Sequence, residues 1–296
     1  MTRTVYLLDG YSLIYRSYFA FMGRHLTSPD GRNTSAVFGF FRSLLSFIDE
    51  YNPEYFAVLM DSRQPTFRHR RYPEYKATRE KAPQELHDQV PVIEKILNAL
   101  GLRTCVMDGF EADDLMATLA RLSRRQGVHC GIITGDKDLM QLVDDHTRIL
   151  KPDKNTYIEL DSSGVLDKVG VRPDQIVDYL ALTGDQADNV PGVKGIGPKT
   201  AAALLKQFET LEGIYDHLDA CSAGQRKNLE EYKSDAFLSR ELVLLRDDVP
   251  LELSLEDLRV GTLNRQAGAR LLEKEGARSL AEKLTAPLGE LFQEPL

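Results

Sequence analysis

Apolar residues in the first half of the chain fall in short runs separated by longer stretches of helical period, the pattern of parallel strands joined by crossover helices. Val5–Leu8, Tyr55–Met60, Leu102–Met107 and Gly131–Thr134 are strand candidates, with further strands expected at Arg148–Leu150 and Thr156–Leu160. Helices are expected at Ala36–Ile48, at Val90–Leu100 with Gly101 as its stop, and at Ala112–Arg125, where Leu115, Met116, Leu119 and Leu122 share one face. From about Val171 the period is helical throughout, over 176–182, 200–208, 211–218, 225–245 and 266–284. The pattern predicts an α/β core with a mainly parallel sheet covered by helices, then a helical part, with a boundary near residue 170. The stretch from Ala286 is expected to be a frayed end or linker.

With 296 residues, 28% of them charged and 42% hydrophobic, the composition is that of an ordinary globular protein. The apolar run ending at Leu8 is too short for a signal sequence, and no segment approaches ~18 uninterrupted apolar residues. A membrane location is therefore not expected. Cys105, Cys130 and Cys221 form no CxxC pair, which argues against a disulfide framework or a thiolate zinc site and for a cytoplasmic setting. Lys and Arg number 37 against 45 Asp and Glu, a net charge of −8, which on its face opposes a nucleic-acid partner.

The placement of the acids changes that picture. In an open α/β sheet, ligands bind beyond the carboxyl ends of the strands. Asp9 follows Val-Tyr-Leu-Leu, Asp61 follows Ala-Val-Leu-Met, and Asp136 and Asp138 follow Gly-Ile-Ile-Thr-Gly. Any one of these could be a turn former. Glu111, Asp113 and Asp114 open the helix at Ala112, where acids complement the helix dipole, and Asp185 and Asp188 share one face of a turn. Nine carboxylates with no His or Cys cluster among them suit hard cations, Mg²⁺ or Mn²⁺, and are too many for one ion. Two ions ~3.5–4 Å apart would activate a water and stabilise an in-line displacement at phosphorus.

Basic residues complete the pattern. Between Arg63 and Lys81 seven Lys/Arg stand against two Glu, a local charge of +5, with Tyr72 and Tyr75 interleaved as in single-strand binding segments. In Val190-Pro-Gly-Val-Lys-Gly-Ile-Gly-Pro-Lys-Thr, Pro198 suits the first position of a helix and Gly197 its N-cap. Gly195, Gly197, the free N–H groups of the helix start and Lys199 would make an anion cradle of helix-hairpin-helix form, holding duplex DNA by its backbone.

The segments VYLLDGYSLIYRSYFAF, VLMDSRQPTFRHRRYPEYKATR, GFEADDLMATLA, ITGDKDLMQLV and LTGDQADNVPGVKGIGPKTAAALL, in this order over residues 5 to about 205, resemble the 5′ nuclease (flap endonuclease) family. Within it they are most similar to the 5′→3′ exonuclease domains of bacterial DNA polymerase I. The resemblance implies a PIN-like nuclease core over 1–170 with a helical arch over about 63–100. It also implies a helix-hairpin-helix (H3TH) subdomain over 171–260 that adds to the second metal site, and a C-terminal helix and tail over 261–296. It implies two-metal hydrolysis of phosphodiesters at a free 5′ end or the base of a 5′ flap, on branched, flapped or nicked duplex DNA, with RNA 5′ ends also accepted. By motif match Asp9, Asp61, Glu111 and Asp113 would serve mainly one metal and Asp138, Asp185 and Asp188 mainly the other, with Asp114 and Asp136 acting through water. Lys76, Arg79, Asp113 and Asp138 would be the catalytic set. Tyr75, Lys76 and Arg79 match arch residues that meet the scissile phosphate, and Arg16 matches a basic residue beside the site. A monovalent cation at the helix-hairpin-helix turn and a DNA polymerase, covalently linked or separate, are further expectations.

Two other readings compete. A helix-hairpin-helix protein could bind branched DNA without cutting it, but nine convergent acids would repel phosphate. A phosphatase or nucleotide-sugar reading of Asp136-Lys-Asp138 leaves the basic loop and the glycine turn unexplained. Setting the nine acids aside leaves a charge of +1, so the acidity is concentrated at the expected metal site.

Overall fold

The structure is a computed structural model that describes residues 3–154 and 156–286. The tail expected beyond residue 286 lies outside the described residues. In chain order the first elements are β1 (Thr4–Asp9), α1 (Gly10–Phe19), α2 (Ser35–Tyr51), β2 (Tyr55–Leu59), α3 (Phe67–Arg71), α4 (Gln84–Leu100) and β3 (Arg103–Cys105). Then come α5 (Ala112–Arg125), β4 (His129–Ile133), β5 (Thr147–Asp153), β6 (Thr156–Leu160), α6 (Ser162–Val169) and α7 (Ile176–Thr183). The rest is helical: α8 (Pro198–Phe208), α9 (Leu211–Asp216), α10 (Ala223–Glu231), α11 (Lys233–Val243), α12 (Arg265–Lys274) and α13 (Arg278–Thr285). Among the described residues no helix is long and apolar enough to cross a membrane.

By packing, the chain divides along a different line from the linear one expected. One unit takes the described residues of Met1–Met60, Lys81–Val106 and Glu252–Leu296, and the other takes Asp61–Glu80 and Met107–Leu251. The segment 63–100, expected to form one arch, is therefore split. Its second part is α4, whose Leu86, Val90, Ile93, Ile96, Leu97 and Leu100 are all buried, so it is a core helix and not an arch.

In the first unit β1 pairs in parallel with β2, and β2 with β3. All five residues of β2 are buried, as a strand covered on both faces requires. Gln89 explains how α4 tolerates Pro91 so far inside it: its Oε1 accepts from the N–H groups of Ala36 (2.9 Å) and Val37 (3.2 Å) at the start of α2, while its Nε2 donates to Glu85 O. That anchoring offsets the backbone bond Pro91 removes, and the helix begins two turns before the proline, earlier than Val90. Helix α1 was not expected from sequence, because Gly, Ser and aromatic residues make it a poor intrinsic helix former. It forms because Asp9, the last residue of β1, accepts from Ser12 N–H at 3.0 Å as N-cap. Gly10 lets it start close to β2, since a Cβ there would strike Met60 Sδ and the Leu59 carbonyl. The Asp-Gly pair is thus a cap and a close approach, and it fixes where Asp9 stands.

In the second unit β4 and β5 are parallel and β6 returns antiparallel to β5. The strands are mainly parallel, as the apolar pattern requires. The single helices expected over 225–245 and 266–284 are each two, broken at Tyr232 and at Gly276, the latter with φ +79°.

Gly39 sits where α1 crosses α2, and a Cβ there would lie 2.7 Å from Ser17 Cβ. Gly39→Val is expected to destabilise the protein by roughly 1–3 kcal/mol through overpacking. Urea unfolding of the two proteins reads this directly, and equal midpoints would refute the close crossing.

Candidate active site

Eight of the nine acids, all but Asp9, lie in the second unit. Asp61 ends the run that begins in β2, and its Oδ1 accepts from Ala112 N–H at 2.7 Å, at the start of α5. Glu111 is the N-cap residue of that helix, with Asp113 and Asp114 in its first turn. Asp136 follows β4 by a short turn and accepts from Asp138 N–H at 2.9 Å. Asp185 Oδ1 accepts from Ala187 N–H at 2.7 Å, closing the turn that presents Asp188.

That last turn is held by two glycines the sequence reading did not single out. Gly184 (φ +68°) and Gly192 (φ +63°) lie back to back, and a Cβ on either would enter the other's strand of backbone. Between them Asp185 and Val190 exchange both backbone hydrogen bonds, at 3.0 and 2.7 Å.

Glu111, Asp113, Asp138 and Asp188 line one cavity of about 10 Å³ with Arg68 and Tyr75, room for about one water or a bare ion. The expected acids from three sequence motifs are thus brought together. Basic side chains hold them apart. Lys76 Nζ donates to Glu111 Oε1 at 2.6 Å and lies 3.7 Å from Asp188 Oδ2. Arg79 Nε donates to Asp188 Oδ1 at 2.9 Å, and Lys137 Nζ pairs with Asp185 Oδ2 at 3.0 Å. Buried Tyr75 places its hydroxyl 3.1 Å from Glu111 Oε2 and 3.0 Å from Asp188 Oδ2. Lys76 takes φ +58° to turn the chain here, its N–H donating to Asp188 O at 2.9 Å, while Asn189 Nδ2 donates to Glu74 O at 2.8 Å.

The electrostatics follow. Burial opposes the charge of Lys76, but Glu111 and Asp188 outweigh it and hold its pKa above the ordinary lysine value. Burial, then the same two carboxylates, keep the Tyr75 hydroxyl protonated. Burial pushes the Asp61 carboxyl up against the hydrogen bond from Ala112. Asp138 is pushed up to about 8 by burial and then by Asp136 and Asp185.

Asp138 Oδ1 is also buried without a hydrogen-bond partner among the described residues. A buried, partnerless carboxylate oxygen among like charges is a donor that a hard cation would satisfy, so the all-oxygen set fits a divalent ion. Among the described residues, however, no three His, Cys, Asp or Glu side chains are gathered closely enough to hold an ion between them. Lys76, Arg79 and Lys137 take up the carboxylate oxygens instead.

Asp114, expected to act on a metal through water, is placed otherwise. It is fully buried and grips Arg68 through two bonds of 2.7 and 2.8 Å, while also accepting from Glu111 N–H and Arg246 N–H. Its oxygens are spent on structure. Arg68, counted with the basic segment, is only 1% exposed and belongs to this interior network. Lys137 was not singled out from the sequence, although the Asp-Lys-Asp spacing was a signal for it; Arg68 was read only as part of the basic segment, and nothing marked its place in the interior. Gly197 is the N-cap of α8 and Pro198 its first residue, as expected, while Gly195 (φ +83°) and Lys199 are exposed. Arg16 lies in the last turn of α1.

Comparison with known proteins places this arrangement. Residues 4–170 match the family described as 5'-3' exonuclease, N-terminal resolvase-like domain. The chain belongs to the 5'-3' exonuclease family. Residues 171–266 match the description 5'-3' exonuclease, C-terminal SAM fold. DNA polymerase I of Treponema pallidum is 47% identical over 99% of this chain and 29% of its own length. DNA polymerase I of Bacillus subtilis is 37% identical over 97% of the chain and 33% of its own length. The chain thus spans about a third of the length of these curated relatives. The fold is shared with T5 5'-exonuclease bearing divalent metal ions (zinc), at TM-score 0.68 and 21% identity over 96% of this chain and 97% of that one. It is shared also with the catalytic core of Rad2 in complex with DNA substrate, at TM-score 0.65 and 16% identity over 97% and 92% of the two chains. A member of this 5'-3' exonuclease family is a nuclease, an enzyme that hydrolyses phosphodiesters.

Two outcomes test the electrostatics. Because the folded Asp138 binds its proton more tightly than the unfolded group, its contribution to stability is present below the ordinary carboxylate pKa of 3.8 and is lost as pH rises through about 8. Chelator-treated protein should lose melting temperature between pH 5 and 8 more steeply than Asp138→Asn, and parallel curves would contradict the assignment. Asp114→Asn, which breaks a buried pair and leaves Arg68 uncompensated, should cost ~3–5 kcal/mol in denaturant unfolding.

Proposed function

We propose that this chain is a structure-specific 5′→3′ exonuclease and 5′-flap endonuclease that hydrolyses phosphodiesters at DNA 5′ ends, RNA 5′ ends included, in primer and flap removal. The observation that carries this reading is the small cavity onto which Glu111, Asp113, Asp138 and Asp188 open beside Lys76 and Arg79. Metal-dependent hydrolysis of a phosphodiester needs oxygen ligands for hard cations and positive charge to receive the phosphate, and side chains of both kinds stand here in one place.

Two Mg²⁺ ions, replaceable by Mn²⁺, would be held by Asp61, Glu111 and Asp113 on one side and by Asp138, Asp185 and Asp188 on the other, with Asp136 acting through water. Bound there, they supply a water of lowered pKa and charge stabilisation at the phosphorus. Asp9 and Arg16 keep the roles their motif implies, a carboxylate ligand and a phosphate contact. Lys76 and Arg79 are held charged by acids, so they are poised to transfer their hydrogen bonds to phosphate oxygens when substrate arrives. Tyr75, protonated throughout, offers a neutral face for a base or a donor for an oxygen. The free N–H groups at the start of α8, with Gly195, Gly197 and Lys199, suit the backbone of a duplex, and a monovalent cation at that turn fits the same role. The substrate is branched, flapped or nicked duplex with a free 5′ end, the partner a DNA polymerase, linked or separate, and the location the bacterial cytosol and nucleoid.

A panel of 5′-flap, nicked-duplex and single-strand substrates with Mg²⁺ and with chelator tests the reading. Cleavage of the flap that stops with chelator is expected, and cleavage that survives it would overturn the metal assignment. Asp113→Asn should lower turnover by roughly 100-fold or more with flap binding retained. Lys199→Ala should instead weaken duplex affinity and reduce its salt slope by about 1.

A further inference from the structure

The last carbonyls of a helix have no intrahelical partner and must find donors elsewhere. At the end of α11 they find them in the acid cluster. Arg68 Nε donates to Leu242 O at 2.7 Å and its Nη2 to Leu244 O at 3.3 Å, while Nη1 lies 3.1 Å from Glu111 Oε2. Gln141 Nε2 donates to Val243 O at 3.0 Å and to Asp138 O at 2.9 Å, and Gln141 Oε1 accepts from Leu245 N–H at 3.1 Å. Arg246 N–H then donates to Asp114 Oδ1 at 2.9 Å. Five consecutive residues, 242–246, are therefore fastened alternately to the Glu111 side and to the Asp138 side of the cavity.

From this geometry we propose that segment 242–246 is the common mount of the two carboxylate groups, and that Gln141 is a positioning residue which sets where Asp138 stands for binding a divalent ion. The inference rests on the nuclease reading above. Gln141 approaches Asp138 only through its backbone carbonyl, so it acts on the carboxylate by fixing the one-turn helix that carries it. Its two amide hydrogens go to Val243 O and Asp138 O and its oxygen to Leu245 N–H, a set that no other side chain of similar size reproduces. Arg68 does the corresponding work at Glu111, but its burial makes it a poor probe, since its loss would leave Asp114 unpaired and endanger the fold. Gln141 is half-buried and can be replaced with less risk.

The test is Mn²⁺ binding to wild type and Gln141→Leu, followed by electron paramagnetic resonance of the free ion with no DNA present. Steady-state cleavage of a 5′ flap at saturating Mg²⁺ and circular dichroism accompany it. Gln141→Leu is expected to keep its fold, to bind Mn²⁺ roughly 10–100-fold more weakly, and to lose kcat with KM for the flap changed less than twofold. A lowered melting temperature with Mn²⁺ affinity and kcat unchanged would overturn the proposal, leaving Gln141 a structural residue. A raised KM with unchanged Mn²⁺ affinity would overturn it as well. If Gln141→Leu unfolds, Gln141→Glu, which keeps the acceptor for Leu245 and loses both donors, takes its place under the same criteria. Failure of wild type to cleave any flap would count against the nuclease reading alone, because Mn²⁺ binding is read without substrate.

Discussion

Like charges at close range set the terms for this molecule. Two carboxylates about 4 Å apart repel by ~4 kcal/mol at an effective dielectric constant of 20, and four acids share one small cavity here. The fold offsets this with cations brought in along the chain. Lys76 and Arg79 come from the segment that follows Asp61, and Lys137 sits between the two acids of the β4 turn. Lys76 lies on a turn that an acid also pins by its backbone, its N–H donating to Asp188 O, and Lys137 lies in the turn where Asp136 accepts from Asp138 N–H. The cluster is consequently self-neutralising in this state, and Asp138 Oδ1, buried without a hydrogen-bond partner among the described residues, marks where the offset is incomplete.

This changes the meaning of the basic segment. A run of +5 read along the sequence suggests a surface aimed at nucleic acid, and most of its cations are exposed, but four of them are already engaged by acids. Arg68 is a structural pillar bonded to Asp114 and to the end of α11, Arg71 pairs with Glu241, and Lys76 and Arg79 are bonded to the acids. The same cations serve two purposes in the proposed function, stabilising the acid cluster alone and receiving phosphate when substrate competes for them.

The alternation of strands and helices was legible because the strands are short and β1, β2 and β4 are apolar runs bounded by turn residues. The acids were legible because strand ends are where an α/β fold builds sites. What sequence could not provide was set by tertiary contacts. Helix α1 depends on the Asp9 cap and on the room Gly10 leaves beside Met60, not on helical propensity. The start of α4 depends on Gln89 reaching the N-terminus of α2. Asp113 and Asp114 are adjacent in sequence and read alike, yet one lines the cavity and the other is spent on Arg68, a distinction made by which face of α5 each occupies. The weight of Gly184 and Gly192 was likewise hidden, because their close approach arises only when the turn closes.

The central claim is that this carboxylate cluster, held by its own lysines and arginines, is a seat for divalent ions. Crystals grown with Mn²⁺ and measured at the manganese absorption edge test it most directly. The account predicts anomalous density beside Asp138 Oδ1 and beside Glu111 and Asp113. A structure with Mn²⁺ in the solution, no anomalous density among these acids, and Lys76, Arg79 and Lys137 still bonded to Glu111, Asp188 and Asp185 would contradict it.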